Sequence, residues 1–145
     1  MTQISAEERI EIHELLARRA HASDFARDAA AWAATFTADG VLDQPPVTLN
    51  LPGGASEMPT KTSGSAELQT FMATALPNIV GLRHRISNVV VASDDDGAVA
   101  YSLFEVVDVH RGGTTVVSGR YTDTLRRING EWRTSHLIVQ MDAVS

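Results

Sequence analysis

Apolar residues recur along this chain with two periods, and the change from one to the other falls near its middle. Ile12, Leu16 and Ala20 repeat every four residues behind a Ser5-x-x-Glu8 capping box, with Ile4 in the staple position. That pattern predicts an amphipathic first helix. Asp24 is the next member of the same row, where a carboxylate is costly unless partnered. It reads either as a cap for the following helix or as a carboxylate at the mouth of a cavity. A second helix is predicted over residues 28–36, slim with five alanines and carrying Trp32 and Phe36 one turn apart. Asp39-Gly40 predicts a turn, and residues 41–43 the start of a short strand. Residues 44–64 hold Pro45-Pro46, Pro52-Gly53-Gly54 and Pro59, and read as a long loop or irregular hairpin that could serve as a lid. A third helix is expected from Ser65, with Leu68, Phe71, Met72, Ala75 and Leu76 inward, ending at Pro77.

From Leu82 the period becomes two. Alternation places Leu82, His84, Ile86, Asn88 and Val90 on one face of a strand, and Arg83, Arg85 and Ser87 on the other. The two arginines want water, so His84 points inward. Turns are expected at residues 94–97 and 111–113, with a strand over residues 98–109 between them. The last third, Gly119 to Met141, folds about Asn129-Gly130, the dipeptide suited to a type I′ turn, and predicts a long β-hairpin. In a two-residue loop 128 pairs with 131, which puts Asp123 opposite His136, Tyr121 opposite Ile138 and Leu125 opposite Thr134. An Asp facing a His there is either a polar cross-strand pair or an oriented base. A bulge near Gly119 would change which residues face inward. Helices first and a meander afterwards predict an α+β fold, with about three helices on one face of a curved, mostly antiparallel sheet.

Composition narrows the function. At 145 residues the chain fits a single domain, residues 1–145, with a core large enough to need no staples. With no cysteine, disulfides and thiolate chemistry are excluded. A net charge of −6 argues against nucleic acid as a partner. No signal-like or bilayer-length apolar run is present, which gives the expectation of a cytoplasmic protein. The five histidines show no ligand spacing, so no metal is expected. His13 and His21 flank the apolar stripe as boundary residues.

The inward His84 in Arg-His-Arg-Ile-Ser-Asn, the Asp24 ending the first helix, Phe36-Thr-Ala-Asp-Gly40, and the Gly-Arg-Tyr-Thr-Asp…Asn-Gly-Glu-Trp-Arg hairpin occur together in one order. In that order the chain resembles the SnoaL-like, scytalone-dehydratase-like branch of the nuclear-transport-factor-2-like superfamily. The resemblance covers most of the chain, with residues 44–64 its least typical part. It implies a cone-shaped α+β barrel with an apolar pocket between a bent sheet and its helices. Scytalone dehydratase and the hexachlorocyclohexane dehydrochlorinase of that superfamily use an Asp–His pair without metal or cofactor, at positions that match Asp24 and His84. Arg19 stands where the dehydrochlorinase has a lysine. Leu137 replaces its last-strand arginine, which points away from dehydrochlorination, and Ser23 stands where a dehydratase tyrosine would be sought. The implied pocket would draw Trp32, Phe36, Phe71, Tyr101 and Tyr121 as its aromatic walls, with Arg120, His136 and Leu137 from the final hairpin.

These readings lead to a cofactor-independent lyase, isomerase or cyclase acting on a small apolar or carbonyl-containing molecule by general acid–base chemistry. Two alternatives accompany it. Ketosteroid isomerase carries its Asp base shortly after the second helix, near Asp43. The same fold also serves as a non-catalytic ligand-binding or dimerisation module, as in the β subunit of ring-hydroxylating dioxygenases. Apolar side chains on the outer face of residues 98–109 and 115–127 lead to the expectation of a homodimer through the sheet.

Overall fold

The computed structural model describes residues 3–51 and 54–142. Helix α1 (Ala6–His21) starts at the expected capping box: the Ser5 hydroxyl accepts from Glu8 N–H and the Glu8 carboxylate accepts from Ser5 N–H. Its buried stripe is Ile12, Leu15, Leu16 and Arg19, broader than the single row of the sequence reading, while His13 and His21 are exposed. A π-helical turn (Ala22–Ala26) continues α1 and ends at Arg27 with φ 52°. Asp28, not Asp24, caps helix α2 (Ala29–Ala33) by accepting from Ala31 N–H. The expected second helix is therefore shorter, and Phe36 opens a strand.

Strands β1 (Phe36–Asp43), β4 (Lys61–Ser63), β5 (Leu82–Asp94), β6 (Gly97–Asp108), β7 (Thr114–Ile128) and β8 (Glu131–Met141) form one sheet in the order β4-β1-β8-β7-β6-β5. Only the β1–β8 pair is parallel among the described strands, and the sheet stays open, with β4 and β5 as its edges. The expected Asp39-Gly40 turn is instead an irregular stretch inside β1. Residues 44–64 take the hairpin alternative: β2 (Val47–Leu51) pairs with β3 (Gly54–Met58), and Pro52 and Gly53 lie outside the described residues. Helix α3 (Ser65–Ala75) ends in a 3₁₀ turn containing Pro77. No helix among the described residues is long and apolar enough to cross a membrane.

The last hairpin turns at Asn129 (φ 53°) and Gly130 (φ 80°), the two positive φ values of the expected type I′ loop. The pairing 128↔131 and 125↔134 follows, but Ser135 is a bulge: Thr124 pairs with His136, Asp123 with Leu137, and Tyr121 with Val139. The Ser135 hydroxyl fastens that bulge by donating to the Thr124 carbonyl. The Asp123–His136 pairing expected from a regular register is thus displaced by one residue. A second irregularity lies between Ser87 and Val90 of β5, where Asn88 takes φ 52°. Beyond it Val91 is buried and Val90 exposed, reversing the alternation extrapolated from Leu82.

The concave face of the sheet holds two apolar clusters. Ile12, Leu15 and Leu16 of α1 pack on Val91, Ala98, Ala100, Leu125 and Trp132 at one end. At the other, α2 and α3 lean over Phe104, Val106, Tyr121 and Leu137 without filling the space beneath them. The unfilled end is the site.

Candidate functional site

The site is a cavity of about 230 Å³ whose wall is chiefly apolar. Trp32 and Phe71 stack at 5.9 Å between ring centres on the helical side. Phe104 and Tyr121 stack at 4.3 Å and 10° on the sheet side. Gly119 allows the second pair: a Cβ there would sit 2.8 Å from the Phe104 ring and 2.1 Å from the Gln140 carbonyl. Leu42, Val47, Met58, Leu82, Ile86 and Leu137 complete much of the lining.

Asp24 and His84 meet at the rim of this space. The π-helical turn inserts one residue at the end of α1, and the wider turn leaves Asp24 buried and aimed at β5. Its Oδ1 is 2.8 Å from His84 Nδ1, and its Oδ2 accepts the backbone N–H of the same residue at 2.6 Å. The Ser23 hydroxyl lies 3.1 Å from Oδ1. Burial by itself would raise the Asp24 pKa. The His84 ring, its charge, its N–H and the Ser23 hydroxyl outweigh burial and hold the carboxyl below its ordinary value of 3.8. When the imidazole is neutral, an ionised Asp24 accepts its Nδ1 proton and Nε2 keeps its lone pair. His84 lines the cavity, whereas Asp24 stands behind it.

A second buried polar unit was missed in the sequence. Arg19 and Asp123 form a two-pronged ion pair, Nη1–Oδ2 at 2.5 Å and Nη2–Oδ1 at 3.2 Å, and Thr134 Oγ1 donates to Oδ2 at 2.8 Å. Arg19 is 4% exposed and Asp123 0%. Burial works against the guanidinium charge, but Asp123 more than offsets it and holds the Arg19 pKa above its ordinary value. The Arg19 head group lies 5.3 Å from the centre of the Tyr121 ring and 5.9 Å from that of Phe36. The signal available in the sequence was spacing. Arg19 follows Leu15 and Leu16 by four and three residues, so it shares their face.

The remaining candidates divide. Trp32, Phe71, Tyr121 and Leu137 line the cavity, and Phe36 is buried beside Trp32 at 5.0 Å without reaching it. Tyr101 is 51% exposed and Arg120 exposed, both on the convex face, because they alternate with inward Ser102 and Tyr121. His136 is on that outer face too, with Nε2 2.5 Å from Asp43 Oδ2. Its neighbour Leu137 takes the inward position, and Leu42 does the same beside Asp43. Asp43 is therefore no base for this cavity.

Comparison with known proteins bears on the whole chain. The model of the SnoaL-like domain matches residues 5–138. A Nostoc punctiforme PCC 73102 protein of unknown function with a cystatin-like fold superposes with TM-score 0.78 at 27% identity, covering 97% of this chain and 96% of that one. ActVI-ORFA from Streptomyces coelicolor gives 0.73 at 23%, covering 96% and 100%. A scytalone dehydratase candidate from Novosphingobium aromaticivorans DSM 12444 gives 0.69 at 14%, covering 94% and 85%. No curated protein matches the chain.

Proposed function

The chain belongs to the SnoaL-like domain family, and from that premise we propose that it is a lyase-, isomerase- or cyclase-type enzyme in which His84 moves a proton without a cofactor. The observation that carries this reading is the Asp24–His84 hydrogen bond, 2.8 Å long, at the edge of an open apolar cavity. A cavity used only for folding would be filled, and a buried carboxylate used only as a cap would bond to a helix end. Asp24 instead spends both oxygens on one histidine.

In the reaction His84 Nε2 takes a proton from a carbon next to a carbonyl or a leaving group. The imidazolium that forms faces an ionised carboxylate already in place, so charge develops where it is stabilised. The apolar lining lowers the local dielectric and strengthens that pairing. The same imidazolium then returns its proton to another atom of the substrate or to a departing oxygen. A small, ring-sized molecule fits: a 150 Å³ apolar cavity already admits benzene, and this one is about half as large again.

The test is exchange of α-hydrogens for deuterium in a panel of small cyclic ketones, followed by NMR. Wild type should accelerate exchange, and His84→Ala and Asp24→Asn should each remove roughly 10²–10⁴-fold of that acceleration. The double variant should be little slower than the worse single. Exchange that persists in His84→Ala refutes the assignment. Binding without exchange in wild type favours a ligand-carrying module. We further propose that the protein is a homodimer through the convex face of the sheet, where Val90, Tyr101, Leu103 and Ile138 are exposed.

A further inference from the structure

Inside the cavity nearly every polar group is already engaged. Arg19 is committed to Asp123 and Thr134, Ser23 to Asp24, Gln44 to the Pro59 carbonyl, and His84 Nδ1 to Asp24. Among the groups left over in the lining are the lone pair on His84 Nε2, the Trp32 indole N–H and the hydroxyl of Tyr121. The Tyr121 side chain is 9% exposed, and its hydroxyl forms no hydrogen bond among the described residues and is not one of the fully enclosed unpaired atoms, so it opens onto the cavity. A ligand that excludes water from the cavity must offer this donor an acceptor, because a donor left unmade in a dry site is costly.

The surroundings of Tyr121 fix both its position and its protonation. Phe104 stacks on one side of the ring, Gly119 leaves room for that stack, and the Arg19 cation lies against the ring as well. Burial, the largest influence, keeps the phenol protonated well above its ordinary pKa of 10.0, although the Arg19 charge pulls the other way. Tyr121 and His84 both line the one cavity.

We propose that Tyr121 is a catalytic residue: its hydroxyl donates a hydrogen bond to the carbonyl oxygen of a small cyclic ketone whose α-carbon faces His84 Nε2. This rests on the acid–base reading of His84. When Nε2 takes the α-proton, the C–H pair forms the new C=C bond and the carbonyl π pair moves onto oxygen. The hydrogen bond donated by the Tyr121 hydroxyl strengthens as that oxygen becomes negative, and the proton returns from the imidazolium to the substrate. Nothing is oxidised or reduced. An apolar ring sits between the Trp32–Phe71 and Phe104–Tyr121 pairs, so the class expected is a flat one- or two-ring ketone.

The test uses β-tetralone and tetralin, which share a bicyclic frame and differ by the carbonyl. Wild type should bind β-tetralone roughly tenfold or more tightly than tetralin, because only the ketone satisfies the phenol. Tyr121→Phe should bind the two alike while keeping its affinity for tetralin. In the deuterium-exchange assay Tyr121→Phe should slow turnover of β-tetralone by roughly 10²–10³-fold, as loss of an oxyanion donor does. Equal preference for the ketone in wild type and Tyr121→Phe overturns the proposal, as does failure of wild type to bind β-tetralone. The binding comparison needs no catalysis. Ketone preference that depends on Tyr121, found without exchange, would therefore uphold the hydrogen bond while removing both the catalytic role and the His84 reading. Exchange lost in His84→Ala but intact in Tyr121→Phe would remove the Tyr121 role alone.

Discussion

Replacing Asp123 with alanine strips the buried guanidinium of Arg19 of its counter-ion. Asp123 accepts both prongs of Arg19 and the Thr134 hydroxyl from a position with no solvent exposure. After the change, Thr134 Oγ1, at 3.4 Å, is the one neighbour still within hydrogen-bonding range of Arg19 Nη1 among the described contacts. Breaking a buried pair from one side costs about 3–5 kcal/mol, a large share of the roughly 5–15 kcal/mol that holds a domain folded. With a urea dependence of about 2 kcal/mol per molar, the unfolding midpoint should fall by about 1.5–2.5 M. Arg19→Met should be comparably harmful, because it strands the carboxylate. Arg19→Met combined with Asp123→Leu removes both charges and should be more stable than either single variant, since an apolar replacement of a buried pair is often neutral. Urea denaturation followed by tryptophan fluorescence reads these proteins together with Asp123→Leu alone, which closes the cycle with Arg19→Met. A midpoint shift below about 0.5 M for Asp123→Ala, or additive losses in the double variant, would refute the view that the pair acts as one unit.

Three further outcomes are expected. The folded-state pKa of Asp24 lies below its ordinary value of 3.8. Its contribution to stability is therefore full above that value and is lost as pH falls through the lowered one. Wild type should lose more stability than Asp24→Asn on acidification below about pH 4, and parallel acid-unfolding curves would contradict this. Gly119→Ala drives a Cβ against the Gln140 backbone and the Phe104 ring. It should cost about 1–3 kcal/mol and change the near-ultraviolet circular dichroism of the Phe104–Tyr121 stack, whereas a neutral result would show that β7 can move aside. Light scattering should give a dimer at micromolar concentration that Leu103→Glu dissociates; a monomeric wild type would dismiss the convex face as an interface.

Signals confined to a few neighbouring residues were legible in the sequence. The capping box, the Pro77 stop and the Asn129-Gly130 turn each depend on local backbone chemistry, and each stands where expected. The Asp24–His84 proximity was legible through the resemblance and through two polar residues on apolar faces. What escaped were single-residue insertions. Ser135 in β8 and Asn88 in β5 are ordinary residues, and nothing in their composition marks a bulge, yet each shifts everything beyond it. The Ser135 shift sent Asp123 to Arg19 and left His136 to Asp43 on the other face. A strict period of two could not have separated Tyr121, which lines the cavity, from Tyr101, which does not, without knowing which face of β6 and β7 was concave.

The π-helical turn at Ala22–Ala26 has a bearing on descent. Each residue of an α-helix rotates the next side chain by about 100°, so deleting one residue from this turn would restore a regular helix and swing Asp24 away from β5. The apolar stripe Ile12, Leu15, Leu16 and Arg19 lies upstream of the deletion and would keep its packing. A one-codon deletion could thus leave a folded cup with no carboxylate beside His84, and a one-codon insertion could bring the two together. Lineages carrying this scaffold could therefore gain or lose the Asp24–His84 hydrogen bond through changes in length alone, with every residue of the sheet retained.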